Sequence, residues 1–294
     1  MTEHLAEPRA PTSEPSWWLK LERAKEHLFE LDDRIKPYRK THRYDITETE
    51  QDDHGVPSWE YRAFSQLPVD PTIAVVLGDF MFNIRSALDH LAVALVPEER
   101  KTLTSFPILT LDPHVSHPGD TEGDTRRRKI WKKATRGMSD EAVAVLRSFQ
   151  PFESHPPGVF DGIPMGPDDT VLGVLLAFQN ADKHRNLVTM VEALDLQAVV
   201  ITDRANGLKV PIDLTPLDPT RMAPKGARIF VGHAQVDVEA EGAIHVAVGV
   251  GDNPQGAYRR VPDFPAELLR VAVNIAEALE PLVAGHGDAP TAME

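Results

Sequence analysis

Cysteine is absent from this chain of 294 residues. Its absence excludes disulfide bridges, thiolate zinc sites, iron–sulfur clusters and cysteine nucleophiles from the chemistry that this sequence can support. No apolar run approaches the roughly 18 residues of a membrane-spanning helix, and residues 1–18 lack the apolar core of a secretory signal. We therefore expect a cytoplasmic protein that does not enter a membrane.

Positive charge is scarce as well, because 31 Lys and Arg residues against 45 Asp and Glu residues give a formal net charge of −14. Phosphate binding needs a positive surface, so this balance argues against a protein coated by duplex nucleic acid. One stretch of eleven residues differs, with seven cations around a tryptophan. Such a run is either a solvated helix face or a nucleic-acid-binding surface with a stacking tryptophan. Its residues are Arg126, Arg127, Arg128, Lys129, Trp131, Lys132, Lys133 and Arg136.

Apolar residues at intervals of three and four predict two long helices in the first third of the chain. One begins at Ser16 and closes at Pro37, and the other follows an N-cap at Asp70 and runs through Leu95. Between them, residues 42–67 alternate polar side chains with β-branched and aromatic ones. This alternation predicts a β-hairpin.

Proline recurs through residues 101–169, which predicts loops around two helices, the basic stretch and a helix capped by Ser139. A third long helix is predicted from a cap at Asp168 or Asp169 to Leu187. Short β-branched runs then predict about four antiparallel strands, and a final helix closes the chain. The strand ranges are 197–202, 208–214, 228–239 and 243–249, and that of the helix is 265–284.

These elements predict an α+β fold, in which a helical bundle with an inserted β-hairpin is followed by an antiparallel sheet and a C-terminal helix. We expect the sheet and the last helix to pack on the bundle. The predicted division is a flexible tail over 1–14, the bundle over 15–187, the sheet and helix over 188–284, and a second flexible tail over 285–294.

A polar stripe runs along the second long helix, with its members spaced by four, three and four residues: Asp79, Asn83, Ser86 and His90. Arg85 lies roughly 140° around a straight helix from His90, so one chain cannot aim both side chains at one substrate atom. Two copies related by a two-fold axis could. Asp89, four residues after Arg85, can instead form an ordinary ion pair with it.

The segment from Asn83 to His90, Asn-Ile-Arg-Ser-Ala-Leu-Asp-His, resembles the active motif of the HEPN superfamily. In that motif an Arg and a His separated by about four residues lie on a helix of a small bundle. Members with the motif are typically metal-independent endoribonucleases with a composite site at a homodimer interface, and many act in toxin, antiphage or RNA-processing systems. A polar residue, often Asn, commonly follows the Arg of the family, whereas Ser86 follows it here.

The resemblance implies that Arg85 and His90 are catalytic in a homodimer. We expect Asn83, Asn180 and His184 to orient them. A histidine can exchange protons with a 2′-hydroxyl, and an arginine can stabilise a phosphorane by paired hydrogen bonds, so no cofactor or metal is needed. The basic stretch would then hold single-stranded RNA.

The third helix carries a second polar group, Asn180, Asp182 and His184. Asn180 and His184 fall on its predicted inward stripe, where an unpaired polar group costs about 1–3 kcal/mol, so we expect them to contact the polar stripe of the second helix. Three functions remain open for such a network. It is catalytic in a ribonuclease, or purely structural in an interaction protein whose basic stretch binds an acidic protein partner. In the third, a metal-dependent bundle enzyme, the ligands are His90 and His184 with Asp79 or Asp182.

Overall fold

The computed structural model describes residues 14–53, 55–64, 69–116, 122–154, 158–160, 163–183, 189–212, 227–249, 259–260 and 263–283. Helices and antiparallel strands are both abundant, which confirms the predicted α+β class. The predicted tails, apart from Glu14, lie outside the described residues. The helices of this part of the chain are α1 (Ser16–Ile35), α2 (Thr72–Ala94), α3 (Glu122–Thr135), α4 (Asp140–Ser148), α5 (Pro151–Ser154), α6 (Val171–Lys183) and α7 (Asp263–Leu279).

Helix ends follow local capping chemistry. Before α2, Asp70 Oδ1 accepts a hydrogen bond from the Thr72 amide at 2.9 Å, and before α4 the Ser139 hydroxyl accepts one from the Ala142 amide at 3.2 Å. Both caps were predicted. At α6 the predicted cap at Asp168 or Asp169 is wrong, because both residues lie in a preceding 3-10 turn. Thr170 caps this helix instead, through a hydrogen bond from the Gly173 amide to its hydroxyl at 3.0 Å.

The Pro-rich region contains more regular structure than predicted. Besides α3 and α4, it holds the short helix α5 and two strands that pair with each other, and a 3-10 helix over Glu98–Leu103 ends within it. Further 3-10 turns follow α1 and α7 at Lys36–Arg39 and Glu280–Leu282, each with a proline in its first turn. The strands are β1 (His42–Arg43), β2 (Asp45–Asp53), β3 (Val56–Phe64), β4 (Gly158–Phe160), β5 (Ile163–Met165), β6 (Thr189–Asp203), β7 (Lys209–Ile212), β8 (Ala227–Gly232), β9 (Val236–Gly249) and β10 (Arg259–Arg260).

The predicted hairpin is formed by β2 and β3, which pair from Asp45 opposite Phe64 to Asp53 opposite Val56. Gly55 lies at the turn with a φ of 84°, a conformation that favours glycine. The prediction missed that β8 extends this hairpin into a three-stranded sheet by pairing with β3.

A second antiparallel sheet has the order β1-β9-β6-β7, with β10 also paired to β9. The single strand predicted over 228–239 is wrong: a bend at residues 233–235 separates β8 from β9 and sends them into different sheets. The predicted strand over 243–249 is the second half of β9, and the prediction over 197–202 covers only part of β6.

The chain groups into two compact units. Unit 1 comprises Met1–Glu26, Phe80–Pro167 and Leu269–Glu294, and unit 2 comprises His27–Asp79 and Asp168–Leu268. These units do not follow the predicted division at residue 187, because α1, α2 and α7 each contribute residues to both. In unit 2, Tyr44 donates its hydroxyl to the Ala243 carbonyl at 2.6 Å, which fastens the start of the hairpin to β9.

Unit 1 buries a segment without regular secondary structure, Phe106–Leu109. A buried backbone needs hydrogen-bond partners, and part of this need is met by Gln150, whose side chain is fully buried. Its amide nitrogen donates to the Pro107 carbonyl and its amide oxygen accepts from the Leu109 N–H, each at 3.0 Å. Gln150 therefore takes the place of a neighbouring strand.

Candidate functional site

The sequence of α2 places an apolar face against the core, and most of its polar residues lie on the remaining circumference. Phe80, Ile84 and Leu88 are at most 1% exposed, and they recur at the four-residue interval of a helix face. Arg85 and Asp89 lie beside this face with half-buried side chains, 20% and 33% exposed. They are therefore close enough to the core to contact its backbone.

Arg85 and Asp89 together hold the peptide groups of Phe106. Arg85 Nε donates to Asp89 Oδ2 at 3.0 Å, and Arg85 Nη2 donates to the Phe106 carbonyl at 2.8 Å. Asp89 Oδ1 accepts from the Phe106 N–H, also at 2.8 Å. The ion pair expected from the four-residue spacing is present, and it fastens the buried segment to α2. The Arg85 guanidinium is thus already bound to a carboxylate and a carbonyl.

His90 lies elsewhere on α2 and has a different environment. Its Nδ1 lies 2.9 Å from the Ser16 hydroxyl at the start of α1, and the side chain is half-exposed. Nε2 has no hydrogen-bond partner in the part of the chain that is described. Arg85 and His90 therefore contact different elements, as the roughly 140° between them on a helix requires.

The remaining members of the polar stripe differ in exposure. Asn83 is buried at 8% exposed, Ser86 is half-buried and Asp79 is exposed. Asn180 on α6 is also exposed, so its predicted inward position is wrong. The side chain of Asp182 and the whole of His184 lie outside the description, and the network predicted around them stays a prediction.

Among the described residues, no group of three or more His, Asp or Glu side chains could hold a metal ion. The same residues contain no helix that is both long and apolar enough to cross a membrane.

Helix α3 carries the basic stretch and buries one side of it. Trp131 is only 5% exposed and packs edge-on against the rings of His114 and Phe152, with centroid distances of 6.3 and 6.5 Å. Its predicted role as an exposed stacking platform is therefore corrected: Trp131 is a core residue that fixes α3 in unit 1. Arg127 is half-buried on the same side.

The opposite side of α3 is an exposed row of cations, which we call the basic face: Arg126, Lys129, Lys132, Lys133 and Arg136. Arg126, Lys129 and Lys133 recur at three and four residues and so share one helix surface, with Lys132 beside it. None of these five side chains has an ion pair or hydrogen bond within the described ranges. The row extends about 15 Å at 1.5 Å per residue, with Arg136 just beyond the last turn.

The turn that supports α3 is held by a second ionic cluster. Arg128 Nε donates to the Pro113 carbonyl at 2.9 Å, and Asp112 accepts from Arg147 Nη2 at 2.6 Å and from the His114 amide at 2.8 Å. Burial alone would raise the pKa of Asp112, but the hydrogen bonds from Arg147 and His114 outweigh it and lower this pKa below its ordinary value.

Comparison with protein-family models, with curated proteins and with solved structures found no match to this chain. The function must therefore be argued from these side chains.

The Phe106 contact could not be found from the sequence. Phe106 follows Asp89 by 17 positions and Arg85 by 21, and both side chains bind its backbone groups. Backbone groups have no sequence signature. The Arg85–Asp89 spacing was a signal for the ion pair alone.

Replacing Arg85 by alanine should lower the free energy of unfolding by about 1–3 kcal/mol, because the Phe106 carbonyl and Asp89 lose their donor. Urea unfolding of the wild type and R85A measures this difference. The matched control is Arg136→Ala, which removes an exposed arginine without a partner among the described residues and should change stability by less than about 0.5 kcal/mol. Equal stability of R85A and wild type would contradict a structural role for Arg85.

Replacing Asp112 by asparagine should lower stability at pH 7 by about 1–3 kcal/mol, because a charged hydrogen-bond acceptor is lost. A lowered folded-state pKa contributes stability above the unfolded value near 3.9, and this contribution is lost as pH falls through the folded pKa. The difference between wild type and D112N should therefore shrink from pH 7 to pH 3 in urea unfolding. A difference that stays constant over this range would contradict the ionised pair.

Proposed function

We propose that this chain binds single-stranded RNA through the basic face of α3. The observation that supports the proposal is the set of five exposed cations without acidic partners in the described part of a chain of net charge −14. Lysine and arginine side chains in such a row can each neutralise a backbone phosphate. The resemblance of the Asn83–His90 segment to RNA-cleaving proteins favours RNA among the polyanions.

A single strand fits the charge distribution better than a duplex. The basic face is one row on one helix, and the excess of Asp and Glu in the rest of the chain would repel a second phosphate backbone. The deep, narrow major groove of an RNA duplex also keeps side chains from reading its bases. A strand that lies along α3 would need only the phosphate contacts that the row offers.

Reversing two charges of the basic face should weaken RNA binding. It should also make the binding constant fall less steeply with salt concentration. With five phosphate contacts, log K should fall with log salt at a slope of about −3.5, and the Lys129→Glu, Lys133→Glu double variant should reduce this slope by at least about 1.4. Fluorescence anisotropy of labelled oligouridylate in EDTA, over a series of salt concentrations, measures both quantities.

The matched control is the Lys25→Glu, Lys36→Glu double variant, which makes the same change in net charge at two exposed lysines of another helix and its end. It should bind RNA almost as the wild type does. Equal losses in the two double variants would indicate a general effect of net charge, and no RNA binding by the wild type would favour an acidic protein as partner.

Metal-independent RNA cleavage is a second candidate function, and the half-exposed His90 favours it. With Nδ1 engaged by Ser16, Nε2 can exchange a proton with a 2′-hydroxyl or a leaving oxygen. Arg85 is tied to Phe106 and Asp89, so His90 is the better supported member of the pair. Arg85 of a second copy is held in the same way, so a composite site would require that arginine to release Phe106 and Asp89.

If the chain cleaves RNA, the cleavage should persist in EDTA and be lost in His90→Ala. His233→Ala is the control, because it removes an exposed histidine with one weak contact, 3.4 Å from the Pro57 carbonyl. Gel analysis of labelled RNA, after unfolding measurements confirm that both variants are folded, gives the result. Cleavage that survives in H90A would contradict acid–base catalysis by this residue.

A further inference from the structure

One aromatic side chain of α2 faces away from the core of unit 1. Phe82 is 67% exposed, whereas Phe80 and Ile84 on the same helix are fully buried. The sequence contains the reason, because residue 82 lies roughly 200° around the helix from residue 80 and therefore off the apolar face. An aromatic residue on the polar side of an amphipathic helix is the signal that the sequence interpretation passed over.

A lysine from α1 lies over this ring. Lys20 Nζ is 5.8 Å from the Phe82 ring centroid, within the range of a cation–π contact. Lys20 has no carboxylate partner in the described part of the chain. A ring has two faces, and 67% exposure leaves most of the Phe82 surface open beside this ammonium group.

The same two helices meet again at His90, whose Nδ1 lies 2.9 Å from the Ser16 hydroxyl. Ser16 and Lys20 are four residues apart on α1, while Phe82 and His90 are eight apart on α2 with Ser86 midway. Each set therefore shares one helix face, and the two contacts define a strip along antiparallel helices. By helical rise, Phe82 and His90 are about 12 Å apart along the axis.

The chemistry along this strip fits a nucleotide. The flat apolar surface of Phe82 can stack on any base, and such stacking tolerates sequence changes because every base has a π-face. An ammonium group beside the ring can bind the phosphate of the stacked nucleotide. The hydroxyl of Ser86 and the imidazole of His90 continue the strip with polar groups.

We propose that Phe82 and Lys20 form a nucleotide subsite, on which a base of single-stranded RNA stacks while Lys20 binds its phosphate. The strand then continues along α2 past Ser86 towards His90. This inference rests on the proposed RNA-binding function and supplies the stacking residue that Trp131, being buried, does not.

The test compares ordinary oligouridylate with an abasic RNA of the same length, which keeps the phosphates and lacks the bases. Phe82→Ala should weaken binding of the ordinary RNA about 5- to 160-fold and leave binding of the abasic RNA unchanged. Phe82→Tyr should retain the affinity. The matched control is Phe29→Ala, which removes a phenylalanine of similar exposure, 62%, from α1. Lys20→Met should weaken binding of both RNAs and reduce the salt dependence.

The outcomes separate this subsite from the basic face of α3. If the Lys129, Lys133 charge reversal weakens binding and F82A does not, the subsite is wrong and the proposed function stands. If F82A weakens only base-bearing RNA and the charge reversal has no effect, the subsite stands and the basic face is wrong. No binding of either RNA by the wild type overturns both. A lower mass of F82A in sedimentation equilibrium, with unchanged RNA affinity, would assign Phe82 to contact with a second copy of the chain.

Discussion

The buried backbone of Phe106–Leu109 is the constraint on which unit 1 depends. Within the described ranges this segment pairs with no strand or helix, yet its peptide groups are removed from water, so side chains supply hydrogen bonds to them. Arg85 and Asp89 serve the Phe106 carbonyl and N–H, and Gln150 serves the next groups along the chain. Pro107 reduces the number of hydrogen bonds that the segment needs, since proline has no N–H. Three polar side chains thereby fix how α2 and the end of α4 enclose the segment.

This constraint changes how the Arg–His motif is understood. An arginine that already donates to a carboxylate and a buried carbonyl must break those bonds before it can bind a phosphorane. Each broken bond leaves a buried or half-buried polar group without that donor. His90 lies at the end of the strip shared with α1, and among the described residues it contacts the Ser16 hydroxyl and no buried backbone group. Arg85 and His90 therefore have different roles although they belong to one sequence motif. Their spacing could not reveal this difference, because spacing records neither the burial of a side chain nor its backbone partners.

Sequence periodicity was sufficient wherever a single helix face determined the structure. The bounds of α1 and α2, and the Ser139 cap of α4, follow from local chemistry that acts within four residues. Prediction failed where distant pairing decided the outcome. The bend at residues 233–235 divides a continuous β-branched run between two sheets, and Trp131 is buried by rings that lie outside its own helix. In both cases the amino acids fit either arrangement, and tertiary contacts select one.

The basic face of α3 differs from the other cationic surfaces of this chain in what surrounds it. Several exposed cations of α1 and of the 3-10 helices after α1 and α2 pair with carboxylates three residues away: Arg23–Glu26, Lys36–Asp33 and Lys101–Glu98. From Arg126 to Arg136 the sequence contains no acidic residue, and Lys129 and Lys133 are like charges at a four-residue spacing, which destabilises a helix by a few tenths of a kcal/mol. A polyanion bound along this face would remove that repulsion. A ligand that binds only the folded state also stabilises that state, so a polyanion bound along the basic face should stabilise α3. The repulsion among the cations of α3 and their affinity for phosphates therefore have the same electrostatic cause.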